Sequence, residues 1–247
     1  MPMYALSTRP VVLDPHGAAN TCRNCDARSH SVCNAVPDGD IARLAAIAVV
    51  THAEPGTTFI HEGDPATHFF NISAGTVRMY KLLPDGRRQI TGFAGVGHFL
   101  GLAVSDTYAF SAEAIDNVRF CKFFRARVRT LLDDFPAMEK RLLEVASTEL
   151  VAAQDQMLLL GRKTARERLA SFLMLQSRQG TMCLGSRLRF ALPMSRGDIA
   201  DYLGLTIETV SRTLTKLRTE GFIEIPSSTE IAIRAPAALE NLATGMA

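Results

Sequence analysis

"SRGDIADYLGLTIETVSRTLTKLRTEGF", residues 195 to 222, decides the fold of the last third of the chain. Ser195 suits a helix N-cap, and Asp198 three residues on completes a capping-box-like pair. Ile199, Tyr202 and Leu203 form one apolar face, and Gly204 stands where a left-handed residue would end the helix. Thr206 suits the cap of a second helix running to about Glu220. On it Val210, Leu214 and Leu217 face inward, while Glu208, Ser211, Arg212 and Thr215 lie along the opposite side. "FIEI" and "EIAIRA", parted by "PSST", read as a hairpin. Two short helices across a glycine turn, then a hairpin, predict a winged helix-turn-helix.

The outward residues suit base reading. Arg212 can donate two hydrogen bonds to guanine O6 and N7, Glu208 can accept from the cytosine N4 amino group, and Ser211 can serve either role. A carboxylate facing DNA is repelled by phosphates, so Glu208 needs a donor on a base. Residues 165–234 carry ten basic against seven acidic side chains, the right sign for phosphate contacts. Double-stranded DNA is the expected partner. A ligand-binding barrel whose helical module is not directed at DNA is the competing reading.

Working towards the N-terminus, "TARERLASFLMLQS" is an amphipathic helix. Before it, Leu142, Ala146, Leu150, Ala153, Met157 and Leu160 recur every three or four residues after Pro136. They place an apolar seam on one long helix, with Leu143, Val151 and Leu158 as a second stripe, and predict a homodimer. From about 49 to 123, runs such as "TTFI", "HFFNIS", "TVRMYKLL", "RQITGF" and "VRFCKFF" alternate with turn residues. That rhythm predicts an antiparallel barrel or sandwich. "LPDG" marks a hairpin within it, because Asp-Gly supplies positive φ angles.

The chain has 247 residues, 47% of them hydrophobic, enough for one large or two small domains. No apolar run reaches spanning length, and the start lacks a basic segment followed by an apolar block, so a cytoplasmic protein is expected. The net charge of +2 identifies no partner. Three of the five cysteines, Cys22, Cys25 and Cys33, share the polar stretch "NTCRNCDARSHSVCN". In a reducing compartment such thiols favour metal or redox chemistry over disulfides.

Iron–sulfur clusters commonly take four thiolates, and Cys121, ending the β-rich region, is the candidate for the fourth. Cys183 belongs to the DNA-binding part and is expected to have no metal role. Zinc is the rival: Cys22 and Cys25 have knuckle spacing, and Cys33 with His16 or His30 could complete the set, but a second Cys-x-x-C is missing. Plain redox thiols are the other alternative. No enzyme is expected. "HEGD" (61–64) opens a turn, "GVGHFLG" (95–101) fits no nucleotide-binding loop, and "TYAFSAEA" has no nucleophile elbow.

The β-rich region, the long helix and "MSRGDIADYLGLTIETVSRTL" together resemble the Crp/Fnr transcription regulators, and the cysteines resemble the FNR-type oxygen sensors among them. The resemblance implies an α+β fold. Residues 1–34 would be a cysteine-bearing arm, 35–135 an antiparallel β-roll of the cyclic-nucleotide-binding jelly-roll kind, 136–162 a dimerisation helix and 163–247 the winged helix-turn-helix. It implies a [4Fe–4S] cluster on Cys22, Cys25, Cys33 and Cys121. With oxygen absent, the dimer would bind a TTGAT-N4-ATCAA palindrome; oxygen would dismantle the cluster and separate the chains.

The family's base-reading residues match Glu208, Ser211 and Arg212, and Gly86 of the "LPDGRR" hairpin matches a loop glycine that meets RNA polymerase. Three departures stand out. The gap from Asp26 to Val32 is seven residues long, as in the branch resembling FixK and FnrN. Ala153 stands where some members carry an acid that resists pairing, which implies looser oxygen control of dimerisation. "FLGLAVSDTYAFSAEAIDN" offers no arginine for a cyclic phosphate, so no cyclic AMP binding is expected.

Overall fold

The computed structural model describes residues 10–11, 22–102, 106–178, 182–184 and 187–246. The chain divides into two compact units, Met1–Lys81 with Thr91–Leu150, and Leu82–Ile90 with Val151–Ala247.

The first unit is built on antiparallel strands. One sheet has the order β1 (Pro10–Val11), β2 (Ala48–Ala53), β9 (Val118–Phe124), β4 (His68–Ala74), β7 (Phe99–Leu100). The other runs β3 (Thr58–Ile60), β8 (Ser111–Ala114), β5 (Val77–Leu82), β6 (Arg88–Ala94). Successive side chains of a strand point to opposite faces, and β9 uses both. Val118 and Phe120 enter a core with Phe70, Ile72 and Val77; Phe59 stacks on Phe120 with 4.6 Å between ring centroids. Cys121 and Phe123 point the other way, into a second core with Phe69 and Phe99.

Helices cover that second face: α1 (Ile41–Ala45), α2 (Arg125–Asp134) and the start of α3 (Pro136–Arg162). They bring Ile41, Leu44, Val128, Leu131, Phe135 and Met138 into it, all buried. Each such side chain contributes about 1.5–3 kcal/mol when fully withdrawn from water. Pro136 opens α3 directly after α2, at a position where its missing N–H is not needed. The short helix α1 and the helix α2 are additions to the strand-only reading of this region.

The second unit holds the end of α3, then α4 (Ala165–Arg178), α5 (Arg196–Leu203), α6 (Ile207–Thr219) and α7 (Pro236–Thr244). Its sheet has the order β10 (Met182–Leu184), β11 (Arg187–Ala191), β13 (Glu230–Ile233), β12 (Ile223–Ser227). The wing expected as a hairpin is therefore half of a four-stranded sheet. Arg168 ties the unit together: Nη2 donates to Leu160 O, Nη1 to Leu203 O and Nε to Lys163 O, each at 2.9 Å. Among the described residues no helix is long and apolar enough to cross a membrane.

Candidate functional site

The thiols of the first unit are assembled by a loop and a strand. After Cys22 the chain passes through two 3₁₀ turns, Arg28–His30 and Val32–Ala35. Ser31 Oγ accepts from the Cys33 N–H at 3.2 Å and caps the second turn. Arg28 closes the loop, pairing with Asp38 at 2.6 Å and donating to Val36 O at 2.8 Å. Ala27 and Val32 are fully buried, so the loop is anchored as well as tied. It lies on Gly97, whose φ is +90° and whose added Cβ would sit 2.8 Å from His30 Cβ. The glycine-rich "GVGHFLG" therefore seats the arm, a role its sequence did not announce.

Cys121 approaches from β9, opposite Val50 on β2 and Asn71 on β4. Cys33 is buried in the second core, with Cys22 and Cys121 packed against it. Cys25 is half-buried, and its sulfur is close enough to contribute to the upward shift of the other three thiols. All four thiols are free. Burial pushes Cys33 up to about 11, against a Ser31 hydrogen bond that lowers it. Burial and the neighbouring sulfurs push Cys121 up to about 12. Cys22 is raised by burial and then by Cys25, with Arg28 opposing.

Only a thiolate is a nucleophile or ligand, so the upward shifts make Cys22, Cys33 and Cys121 poor nucleophiles without a cation beside them. A metal centre reverses that, because its charge deprotonates a coordinating thiol. Among the described residues, no three His, Cys, Asp or Glu side chains converge on a position for one ion. His30 is exposed, and His16 lies outside the described residues. Cys183 lies in β10 opposite Leu188, in the second unit.

The second functional surface is α6. Ser195 Oγ accepts from the Asp198 N–H at 3.0 Å and the Asp198 carboxylate accepts from Ser195 N–H at 3.0 Å, a complete capping box for α5. Gly204 ends α5 at φ +61°. Thr206 Oγ1 accepts from the Thr209 N–H at 3.2 Å and starts α6. Val210, Leu214 and Leu217 are buried; Glu208, Ser211, Arg212, Thr215, Lys216 and Arg218 are exposed. Glu208 is held below the usual carboxylate range by its own backbone N–H and by Thr206, with Arg212 adding attraction. It therefore faces outward ionised, as a hydrogen-bond acceptor.

The cations around α6 are sorted by their partners. Arg166 pairs with Glu220, Arg178 with Glu240, Arg189 with Glu230 and Arg234 with Glu224. Arg212, Lys216 and Arg218 of α6 form no ion pair among the described residues, so their charge is available for phosphates. Ile207, 52% exposed beside Glu208, was not singled out from sequence. An apolar side chain at the start of such a helix can meet a thymine methyl group.

Along α3, Leu142 is half-buried and packs with Val145 against the core holding Cys33. Leu143, Leu150 and Met157 are 69%, 60% and 66% exposed and spaced by seven residues. Ala146 and Ala153 lie exposed between them, and Leu160 is half-buried. Gly86 sits at φ +86° in its turn with open space around the position of a Cβ.

Residues 50–135 match the cyclic nucleotide-binding domain family, and residues 167–242 match the Crp-like helix-turn-helix domain family. The nitrogen fixation regulation protein FixK of Bradyrhizobium diazoefficiens is 42% identical over 94% of this chain and 97% of its own length. The transcriptional activatory protein AadR of Rhodopseudomonas palustris is 43% identical over 82% of this chain and 84% of its own. The solved structure of FixK2 from Bradyrhizobium japonicum superposes with a TM-score of 0.74 at 38% identity, covering 79% of this chain and 97% of that one. These relatives are regulators, not enzymes. With a β-roll, a long helix and a helix-turn-helix in that order, the chain belongs to the Crp/Fnr family of DNA-binding transcription regulators.

Proposed function

We propose that this regulator activates transcription in response to low oxygen, through a [4Fe–4S] cluster held by Cys22, Cys25, Cys33 and Cys121. The observation that supports the reading is that Cys22, Cys33 and Cys121, from the arm and from β9, share one core as free thiols, with the free thiol of Cys25 close enough to act on all three. An all-cysteine set of four matches the four thiolates that iron–sulfur clusters commonly take. When bound, the cluster supplies the positive charge that a set of buried thiols lacks, and it covalently joins the arm to the barrel.

The chain's own residues carry the consequence to the DNA. Leu142 and Val145 touch the thiol core, and Leu143 and Ala146 stand one position further along the same helical turn on the outside. The exposed set Leu143, Ala146, Leu150, Ala153 and Met157, continued by half-buried Leu160, follows a strict alternation of three and four residues, the seam of a two-stranded coil. Seating the arm fixes the start of α3, and a fixed α3 presents that seam to a second copy. The dimer then offers two α6 helices to the half-sites of a TTGAT-N4-ATCAA palindrome. Arg212 and Glu208 read a G·C pair and Ser211 and Ile207 sit by A·T pairs.

Gly86 lies in a surface turn suited to contact with RNA polymerase in the cytoplasm. No cyclic AMP is needed, since the stretch from Phe99 to Asn117 has no arginine to hold its phosphate. The test is protein purified without air, assayed for iron, sulfide and zinc, then for operator binding before and after oxygen. Iron and sulfide with oxygen-sensitive binding are expected. Zinc without sulfide, or iron-free protein with full operator binding, would refute the sensing reading.

A further inference from the structure

Two polar side chains beside the thiols have buried atoms with no hydrogen-bond partner among the described residues. Asn71 is 2% exposed, and its Oδ1 has no hydrogen-bond partner among the described residues. It stands directly opposite Cys121 on β4 and opposite Phe99 on β7, so it shares their face of the sheet. Its neighbours there, Phe69, Phe99 and Phe123, are aromatic hydrocarbon. An apolar residue would fill the place with no polar atom to desolvate, so a buried amide with an unused end calls for an explanation.

Arg28 is the second group. Its side chain is 15% exposed, and its Nε–H is buried without a partner among the described residues although both terminal nitrogens are used. Its backbone N–H bonds to Cys25 O at 2.9 Å, and its charge acts on Cys22 and Cys33. Arg28 lies within the seven-residue gap between the second and third arm cysteines. Rotation about χ2 exchanges the two ends of the Asn71 amide, so that position can present N–H as readily as C=O.

Resting on the cluster reading above, we propose that Arg28 and Asn71 are positioning residues that donate N–H···S hydrogen bonds to the sulfurs of the pocket and thereby set how readily the cluster is oxidised. A doubly positive iron–sulfur core with four thiolates is a net anion, and a buried anion requires donors or a cation around it. Hydrogen bonds to the sulfurs withdraw electron density and raise the reduction potential. Outer-shell partners of this kind are worth about 10–100-fold in affinity or activity. The long gap of the arm thus supplies the cation, and β4 supplies the neutral donor.

The test uses full-length protein reconstituted without air from ferrous iron and sulfide. Arg28→Gln and Asn71→Leu are compared with wild type and with Asp38→Asn, which breaks the loop's ion pair but keeps the Arg28 Nε–H. Both donor variants are expected to bind iron and sulfide, to lower the cluster's midpoint potential, and to shift the Fe–S(Cys) stretch in resonance Raman spectra. Their visible absorption should bleach in oxygen about tenfold faster, while Asp38→Asn stays near wild type. If Asn71→Leu takes up no cluster, Asn71→Ser, which keeps a donor, must restore uptake.

Potentials and spectra unchanged in both donor variants would overturn the proposal and leave the cluster reading standing. An Asp38→Asn protein that matches Arg28→Gln would reduce Arg28 to a loop tie. Wild type that holds no iron and sulfide would overturn the cluster reading and this proposal with it.

Discussion

Replacing Gly97 by Ala tests whether the arm is seated where the structure places it. The backbone there has φ +90°, a conformation an L side chain disfavours by about 1–2 kcal/mol. The added methyl would also meet His30 Cβ at 2.8 Å and His30 C and O at 3.2 Å, and overpacking of that kind costs about 1–3 kcal/mol. Lifting the arm off relieves the collision but not the φ strain, so only the second figure, about 1–3 kcal/mol, weights the open form. At 1.4 kcal/mol per tenfold, its population rises by roughly 5-fold to a little over 100-fold. The assay is the rate at which a thiol reagent labels Cys33 and Cys121 in metal-free protein, read residue by residue by mass spectrometry. Gly86→Ala is the control: φ is +86° but the space is open and the turn is remote in sequence from the arm. Labelling that accelerates equally in both variants, or in neither, would refute the seating of the arm on Gly97.

Further expectations concern the helices and the barrel. Arg212→Ala should weaken specific operator binding by about 1–3 kcal/mol and relax one base position, measured by gel shift on single-base operator variants. Met157→Lys alters a residue exposed in the single chain, so the melting temperature of the monomer should hold. Sedimentation should show dimerisation weakened by about a hundredfold or more, from roughly 3 kcal/mol of lost burial over two copies. Operator binding should be strongly salt-dependent, because Arg212, Lys216 and Arg218 on α6 form no ion pair among the described residues. If every one of them meets a phosphate in both copies, log K against log salt has a slope of about −5.

His68, near Lys122, is pushed down to about 4 by burial and then by that positive charge. The unfolded chain therefore binds the proton more tightly, and stability is lost as pH falls from about 6.5 through 4. Denaturant melts of His68→Gln should lack that part of the acid-side slope.

The helix-turn-helix was legible because its signals are local. Caps, a left-handed glycine and a helical period lie within a few residues of the positions they govern, and Ser195, Gly204 and Thr206 do what their types allow. The long helix was legible in extent but not in rotation. Leu142 and Leu143 both fit a spacing of three or four residues, and the packing of α3 on the thiol core decides between them by drawing Leu142 inward. The strands were visible as β-rich runs, whereas β10 and β11 rest on pairing with a distant wing. Asn71 and Gly97 were invisible as parts of the site. One is set beside Cys121 by strand register and the other beneath His30 by the return of the arm, and neither relation leaves a mark on neighbouring letters.

Strand β9 serves two masters with alternate residues, Phe120 for the space between the sheets and Cys121 for the opposite face. The two duties can therefore drift apart over evolutionary time. A lineage that exchanged its thiols for other side chains would keep an undisturbed jelly roll and a working DNA reader. The scaffold is free to change what its second face carries without being rebuilt.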